Sequence, residues 1–417
     1  MLEQNKEKTV LIVGSSAVAH SLARWLCEVE KVGTVYVAPG NKATEGFAKC
    51  VDIREDDVDG LLEFAIKNNV SFTIVSSFNA IKSDIAGVFV ANEQPIFAPE
   101  KSNADFLTAK SSTKKFLYRL RIPTPKFAVF DKPNLAVDYV KNNKMLLISS
   151  DVDSENFCGA IAPNTKQALT ILSDMEFQGV NKFVIEDYIK GHNFTLYVVT
   201  DGVSALPLGV VGDYRFKENG DGGLYTLGSA AYSPDYNVSF DIVGDLMDNV
   251  IGKIIENTQN KPYVGIIGLD CVLLNNDDYI VTNLRPFMKD SDIQAVLNQL
   301  DTDFLRLLES CVNGSFTDEY SDIPIKDESS ISCVLFSTKP MMPITGLDKT
   351  DDDTVVTHFA TTRNPYMEYL TNSGRTLVVS QTAPTFTLAK ERLYDNIEQI
   401  NFQGKSYRRD IGAYNIL

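Results

Sequence analysis

Strand-like runs alternate with helical stretches through the first hundred residues, and that alternation constrains the fold more than any other feature of the chain. KTVLIV at 8–13 is a β-branched run ending at Gly14; residues 17–28 follow with an amphipathic pattern, and TVYVA at 34–38 is a second apolar run. A helical pattern over 58–68, then FTIV at 72–75 and PIF at 95–97, complete the segment. Strands separated by helices over about a hundred residues predict a parallel, doubly wound sheet.

Beyond it the pattern changes. Residues 102–120 read as helix, with Lys110, Lys114, Lys115 and Arg119 among the polar positions, until Pro123 and Pro125 break the run. Residues 126–192 read as a small α+β unit with strands at 126–130, 145–148 and 182–186 and helices near 134–142 and 165–175. Strands resume at 194–199, 205–211, 271–274 and 278–283, with a long helix over 240–259 and a C-terminal helix near 387–400. A chain of 417 residues is expected to build two or three domains. The expected division is 1–101, 102–325 with a lobe at 126–192, and 326–417. Asp351, Asp352 and Asp353 form the clearest run of like charge and are expected in a solvated loop.

Composition excludes several function classes. With 44% hydrophobic and 23% charged residues the chain is globular. A net charge of −16 argues against nucleic-acid or anionic-membrane partners, which require clustered Lys and Arg, but leaves room for a small phosphorylated ligand. No apolar run is long enough to span a bilayer, and the polar start fits no targeting peptide, so a cytoplasmic protein is expected. Six scattered cysteines and three separated histidines (His20, His192, His358) give no metal-ligand spacing.

Several motifs, in order along nearly the whole chain, resemble the phosphoribosylamine–glycine ligase family. They are VLIVG at 10–14 leading to His20, VYVAPGN at 35–41, VDI at 51–53, IFAP at 96–99, Ala109 with Lys110, and IPT at 122–124. VIEDY at 184–188 with Gly191, AYSP at 231–234, YVG at 263–265 and YRRDIG at 407–412 continue the match. The resemblance implies an α/β ATP-grasp fold with an N-terminal doubly wound parallel-sheet domain and a small C-terminal α+β domain. It also implies ATP and Mg²⁺ as cofactors, with glycine and a phosphoribosyl amine as small-molecule substrates, in a monomer or dimer.

In the family reaction ATP phosphorylates the glycine carboxylate, and an amine then attacks the acyl phosphate. Such transfer needs lysines and carboxylate-held Mg²⁺ around the β- and γ-phosphates. By resemblance, Lys110, Glu186, Asp187 and Asn193 fall at nucleotide-binding positions. Ser15, Ser16, Asp213, Asp221 and Gly223 fall on the substrate side. Ser15 and Ser16 stand at a strand–helix turn able to meet a phosphate, although Ser in that place is also an ordinary helix N-cap. Gly220 to Gly228, with four glycines, reads either as a loop that closes over a ligand or as a plain mobile surface loop.

Other positions depart from the family pattern. Its first phosphate lysine falls on Ser149, the lysine of its glycine-rich loop on Phe157, and its metal-binding Glu on Val281. A sugar-contacting carboxylate falls on Phe78. Asn283 with Asp290 or Asp292 is the remaining metal-binding set, and Arg285 and Arg215 are the catalytic candidates. The expectation is therefore a divergent relative with eroded catalytic motifs, little use of ATP and Mg²⁺, and weak or lost activity. The alternatives are a non-catalytic binder of a nucleotide or protein, and a ligase with changed substrate. G-x-G-x-x-G is absent after Gly14, which disfavours a dehydrogenase.

Overall fold

A computed structural model describes residues 7–152, 158–275, 277–359 and 361–413. Phe157 and its neighbours Glu155 and Asn156 lie outside these residues, as does the polar start at 1–6.

The first sheet holds β1 (Lys8–Gly14), β2 (Val32–Pro39), β3 (Lys49–Cys50), β4 (Phe72–Val75) and β5 (Ile96–Phe97), all parallel, in the order β3-β2-β1-β4-β5. Val10, Leu11, Ile12 and Val13 in the central strand are wholly buried, because helices cover both faces of a parallel sheet. Helix α1 (Ala17–Cys27) leaves β1 through a two-residue turn, with Ser16 as its N-cap.

Residues 126–192 form a small antiparallel lobe. Its strands are β6 (Phe127–Phe130), β7 (Leu146–Ser150), β8 (Gly159–Ala162) and β9 (Phe183–Asp187), ordered β8-β7-β9-β6. A larger antiparallel lobe holds β10 (His192–Thr200), β11 (Ala205–Glu218), β12 (Gly222–Ser233), β13 (Gly265–Leu273) and β14 (Tyr279–Arg285), ordered β14-β13-β10-β11-β12. The helix expected over 240–259 is present, with a π turn at Met247–Ile251 inside it.

The glycine-rich stretch expected to be a loop is not one. Gly220 (φ 64°) and Asp221 (φ 56°) make a tight left-handed turn, and a twelve-residue strand starts at Gly222. β12 then pairs with β8 through Tyr225 and Gly159, and with β15 (Ser329–Ser337) through residues 230–233. The strand Gly374–Ala383 extends the same sheet beyond β15 and carries the helix Phe386–Gln399. The Asp351–Asp353 run is exposed, as expected.

Two polar clusters hold the C-terminal region to the rest. Arg408, wholly buried, donates to Asp410, to Asp221 Oδ1 (2.9 Å) and to the Phe216 carbonyl (3.0 Å), and lies 4.5 Å from the Tyr214 ring. The β11–β12 turn is thereby fixed to the last residues of the chain. The second cluster brings together two histidines that are remote in sequence. His20 on α1 and His358 on the strand Val355–His358 have ring centroids 5.6 Å apart and bond Thr44 and Thr361. Asn41 Nδ2 also donates to the His358 carbonyl (3.2 Å). Burial, then the nearby Arg24, lowers His20 to about 4; burial, then His20 and Arg363, lowers His358 to about 3.

Two outcomes follow. Arg408→Met should lower the unfolding free energy by about 3–5 kcal/mol in urea titrations, because Asp221 and Asp410 lose their shared counter-ion. The histidine pair is neutral when folded and takes up protons when unfolded, near pH 6.5. Stability should therefore be full above that pH and fall on acidification, by up to about 1.4 kcal/mol per pH unit for each imidazole. Urea midpoints between pH 7.5 and 5, above the carboxylate range, should show this slope, and His358→Gln should flatten it.

Candidate functional site

A cavity of about 300 Å³ lies where the first sheet, the helix Lys110–Arg119 and the end of β14 meet. Its wall includes Ser15, Ser16, Asn79, Lys82, Lys110, Asn283, Arg285, Lys289, Asp290 and Arg375. The α1 N-terminus opens into it, and the Val18 amide donates to both Ser16 Oγ (3.2 Å) and Asp290 Oδ1 (3.0 Å). Asp290 also accepts from Arg375 Nη1 (2.9 Å). Ser15 and Ser77 both donate to Glu55, at 2.7 and 2.5 Å. Phe78 stacks edge-on against Phe287, with centroids 4.5 Å apart.

Beside the cavity, and reaching its wall through Lys289 and Arg285, sits a cluster of buried charged groups. Lys289 Nζ is 2.5 Å from Asp213 Oδ2, 3.2 Å from Asp292 Oδ2, 3.3 Å from Asp270 Oδ1 and 3.0 Å from Thr195 Oγ1. Arg285 Nε donates to Asp270 Oδ2 (2.8 Å) and Arg215 Nε to Asp213 Oδ2 (2.6 Å). The other arginine contacts of Arg215 are Thr282 Oγ1 and the Phe194 and Cys271 carbonyls, so four of its donor bonds end inside the protein. Asp292 accepts from Tyr197 (2.7 Å) and Ser291 (2.5 Å).

The pKa directions follow from the pairing. Burial alone would raise Asp270, but Arg285, Lys289 and Arg215 hold it far below the ordinary carboxylate value. Burial likewise opposes Asp213, and Lys289 and Arg215 outweigh it. Asp292 ends above its ordinary value, because burial and the Asp213 charge exceed the help from Lys289. Burial would lower Lys289, yet its three carboxylates raise it.

The cleft between the two lobes is narrow. About 40 Å³ is open among Lys110, Ser149, Glu186, Tyr188, Asn193 and Tyr225. Phe216 and Tyr225 pack edge to face (5.3 Å) with Cys158 against Tyr188 and Leu227. Lys110 Nζ lies 5.3 Å from the Tyr225 ring and donates to the Cys158 carbonyl (3.2 Å). Glu186 forms a buried ion pair with Lys114, whose own pKa burial lowers. The Ser149 hydroxyl is buried there without a hydrogen-bond partner.

Several expected residues meet at these two openings, and others do not. Lys110 and Asn283 line both, Arg285 and Asp290 the larger, and Glu186, Asp187, Asn193 and Arg215 the smaller. Asp221 is drawn away to Arg408, and Gly223, at φ 75°, packs against Glu218 in the hairpin. The set Asn283, Asp290 and Asp292 does not share one centre. Asp290 turns to α1 and Arg375, Asp292 to Tyr197 and Lys289, and Asn283 Nδ2 faces Asp270 (3.4 Å). Val281 is also differently placed. An irregularity opposite Asp270 and Cys271 puts its side chain in the apolar core, and Thr282 with Asn283 faces the cleft.

Sequence reasoning passed over Lys289, Asp270 and Thr195. The signal was available for Asp270, a carboxylate in the middle of GIIGLDCVL, where every residue is buried.

Comparison with known proteins agrees with this architecture. Three family models match the chain in series: the phosphoribosylglycinamide synthetase N domain over residues 8–106, its ATP-grasp (A) domain over 108–290 and its C domain over 337–414. A phosphoribosylamine–glycine ligase of Halalkalibacterium halodurans is 29% identical, over 97% of this chain and 96% of its own length. One from Neisseria meningitidis serogroup B is 28% identical over 96% and 98%. Among solved structures, the phosphoribosylamine–glycine ligase of Thermotoga maritima superimposes with a TM-score of 0.76 at 18% identity, covering 96% of this chain and 99% of that one. A biotin carboxylase from Campylobacter jejuni, solved with a β,γ-ATP complex, gives 0.66 at 12% identity over 96% and 93%. With all three domain models matched in order, the chain belongs to the phosphoribosylglycinamide synthetase family and has its ATP-grasp fold.

Proposed function

We propose that this chain keeps the framework of a phosphoribosylamine–glycine ligase while its phosphoryl-transfer chemistry is weak or lost. The observation that carries this reading is that cations of the centre are held by the chain's own carboxylates. Arg215 serves Asp213, Arg285 serves Asp270, Lys289 serves three aspartates, and Lys114 serves Glu186. Stabilising charge on a transferring phosphoryl group requires positive groups aimed at it, and here the nearest positive groups point at carboxylates of the chain.

Three further features support the reading. Ser149 faces the cleft where the family pattern has a lysine, and a hydroxyl carries no charge. The strand Tyr279–Arg285 has no carboxylate, its cleft-facing residues being the neutral Thr282 and Asn283. Mg²⁺ needs oxygens converging at roughly 2.0–2.1 Å on an open point. Among the described residues no group of three or more His, Cys, Asp or Glu is arranged to hold a metal, and the residues at this centre do not fit the ion. The division into a first domain at 1–101, an ATP-grasp pair at 102–325 and a C-terminal domain at 326–417 belongs to the same proposal. Nucleotide binding without turnover is a second reading, favoured by Lys110, which lines both the cleft and the larger cavity.

Coupled ADP-release assays with glycine and freshly prepared phosphoribosylamine, with and without Mg²⁺, should give rates far below the ~1–10³ s⁻¹ of ordinary enzymes. A rate within that range overturns the proposal. Tyr225→Ala should widen the cleft and tighten ATP, measured by calorimetry, by about tenfold or ~1.4 kcal/mol; an unchanged Kd would clear Tyr225 of blocking the nucleotide.

A further inference from the structure

We infer that the Lys289 ammonium is the resident cation of this centre, standing between Asp213, Asp270 and Asp292 in place of a divalent metal ion. The geometry is that of hydrogen bonding and not of metal coordination. Nζ donates to Asp213 (2.5 Å), Thr195 Oγ1 (3.0 Å) and Asp270 (3.3 Å), with Asp292 Oδ2 at 3.2 Å, distances that suit an ammonium and exceed the roughly 2.0–2.1 Å of Mg²⁺. All four groups are shielded, Lys289 at 5% exposure and the aspartates at 4% or less.

Charge counting leads to the same place. Three carboxylates face Lys289, Arg215 and Arg285, so the cluster is balanced by cations that the chain supplies. A divalent ion added to it would leave an excess of two positive charges among buried groups, and loss of the ammonium would cut that excess to one, so the ion and the ammonium compete for the same carboxylates. The ammonium is not placed to leave. The Lys289 amide donates to the Tyr197 hydroxyl (3.1 Å), which itself donates to Asp292. The β12 backbone at Gly228 (φ 108°) lies against the next-but-one residue, Ser291, so closely that a Cβ there would strike its hydroxyl. The lysine is thus locked from its backbone to its tip.

The inference rests on the placement of the nucleotide centre proposed above, but the two fail separately. Metal occupancy is read with no nucleotide or substrate present, and turnover is read as ADP. The test is a Mn²⁺ titration of the full chain followed by the free-ion electron paramagnetic resonance signal. Weak binding by surface carboxylates is common to every variant and cancels in the differences. Wild type should differ in no way from Asp270→Asn. Lys289→Met should gain one bound Mn²⁺ per chain and lose it again when Asp213→Asn is added, and Mn²⁺ should raise its melting temperature but not that of wild type. One equivalent bound by wild type and lost in Asp270→Asn overturns the inference, as does a folded Lys289→Met that gains none. Should Lys289→Met not fold, the comparison of wild type with Asp270→Asn decides the matter alone.

Discussion

Charges withdrawn from water must be answered by other charges, and four consecutive residues, 289–292, discharge much of that obligation at the centre of the molecule. Lys289 gathers the carboxylates of β11 and β13. Asp290 accepts the first turn of α1 and pairs with Arg375 on the C-terminal strand. The Ser291 carbonyl accepts from Ser332 on β15, and Asp292 takes the Tyr197 hydroxyl of β10. One short segment therefore touches all three family domains. An isolated buried carboxylate is costly, whereas a balanced cluster with every partner present is tolerated. The segment is fixed in place by partners on several separate elements at once.

On the proposed reading, the same pairing lets a chain keep the family's architecture while its site changes character. Catalytic centres hold preorganised charges close together, which costs stability. In this chain Arg285, Arg215, Lys289 and Lys114 have found permanent acceptors, and Tyr225 with Phe216 fills space between the lobes. Fold belongs to the strands and their hydrophobic faces, function to the site carried on them. The apolar faces of β10, β13 and β14 pack well whichever ions their polar residues meet.

What could be read from the sequence divides along the same line. The parallel sheet was legible because β1 and β4 are continuous apolar runs, buried on both faces, and Ser16 caps α1 as a serine after a strand should. The hairpin β11–β12 was not legible. Its four glycines look like a loop, and only pairing with β11, β8 and β15 makes residues 222–233 a strand. The cleft side of β14 was misread for a related reason. A single irregularity against β13 moves Val281 from one face to the other, and no local sequence property announces it. His20 and His358 looked solitary because the contact between them is made by tertiary packing alone.

Lys289 illustrates the deepest limit of reading by position. A lysine between Met288 and Asp290 resembles any solvated side chain at the end of a strand, and its partners lie on β10, β11 and β13 or three residues onward. The matching signal came from the other end, since a lone aspartate in a fully buried strand demands a counter-ion from somewhere. Asp270 thus poses a question that a sequence can state, and the fold answers it with an ammonium supplied by the chain itself. Because that ammonium is covalently attached, its effective concentration does not fall with dilution or chelation. On the proposed reading, a centre neutralised in this way gains permanence at the expense of the exchangeable charge that moving a phosphoryl group requires.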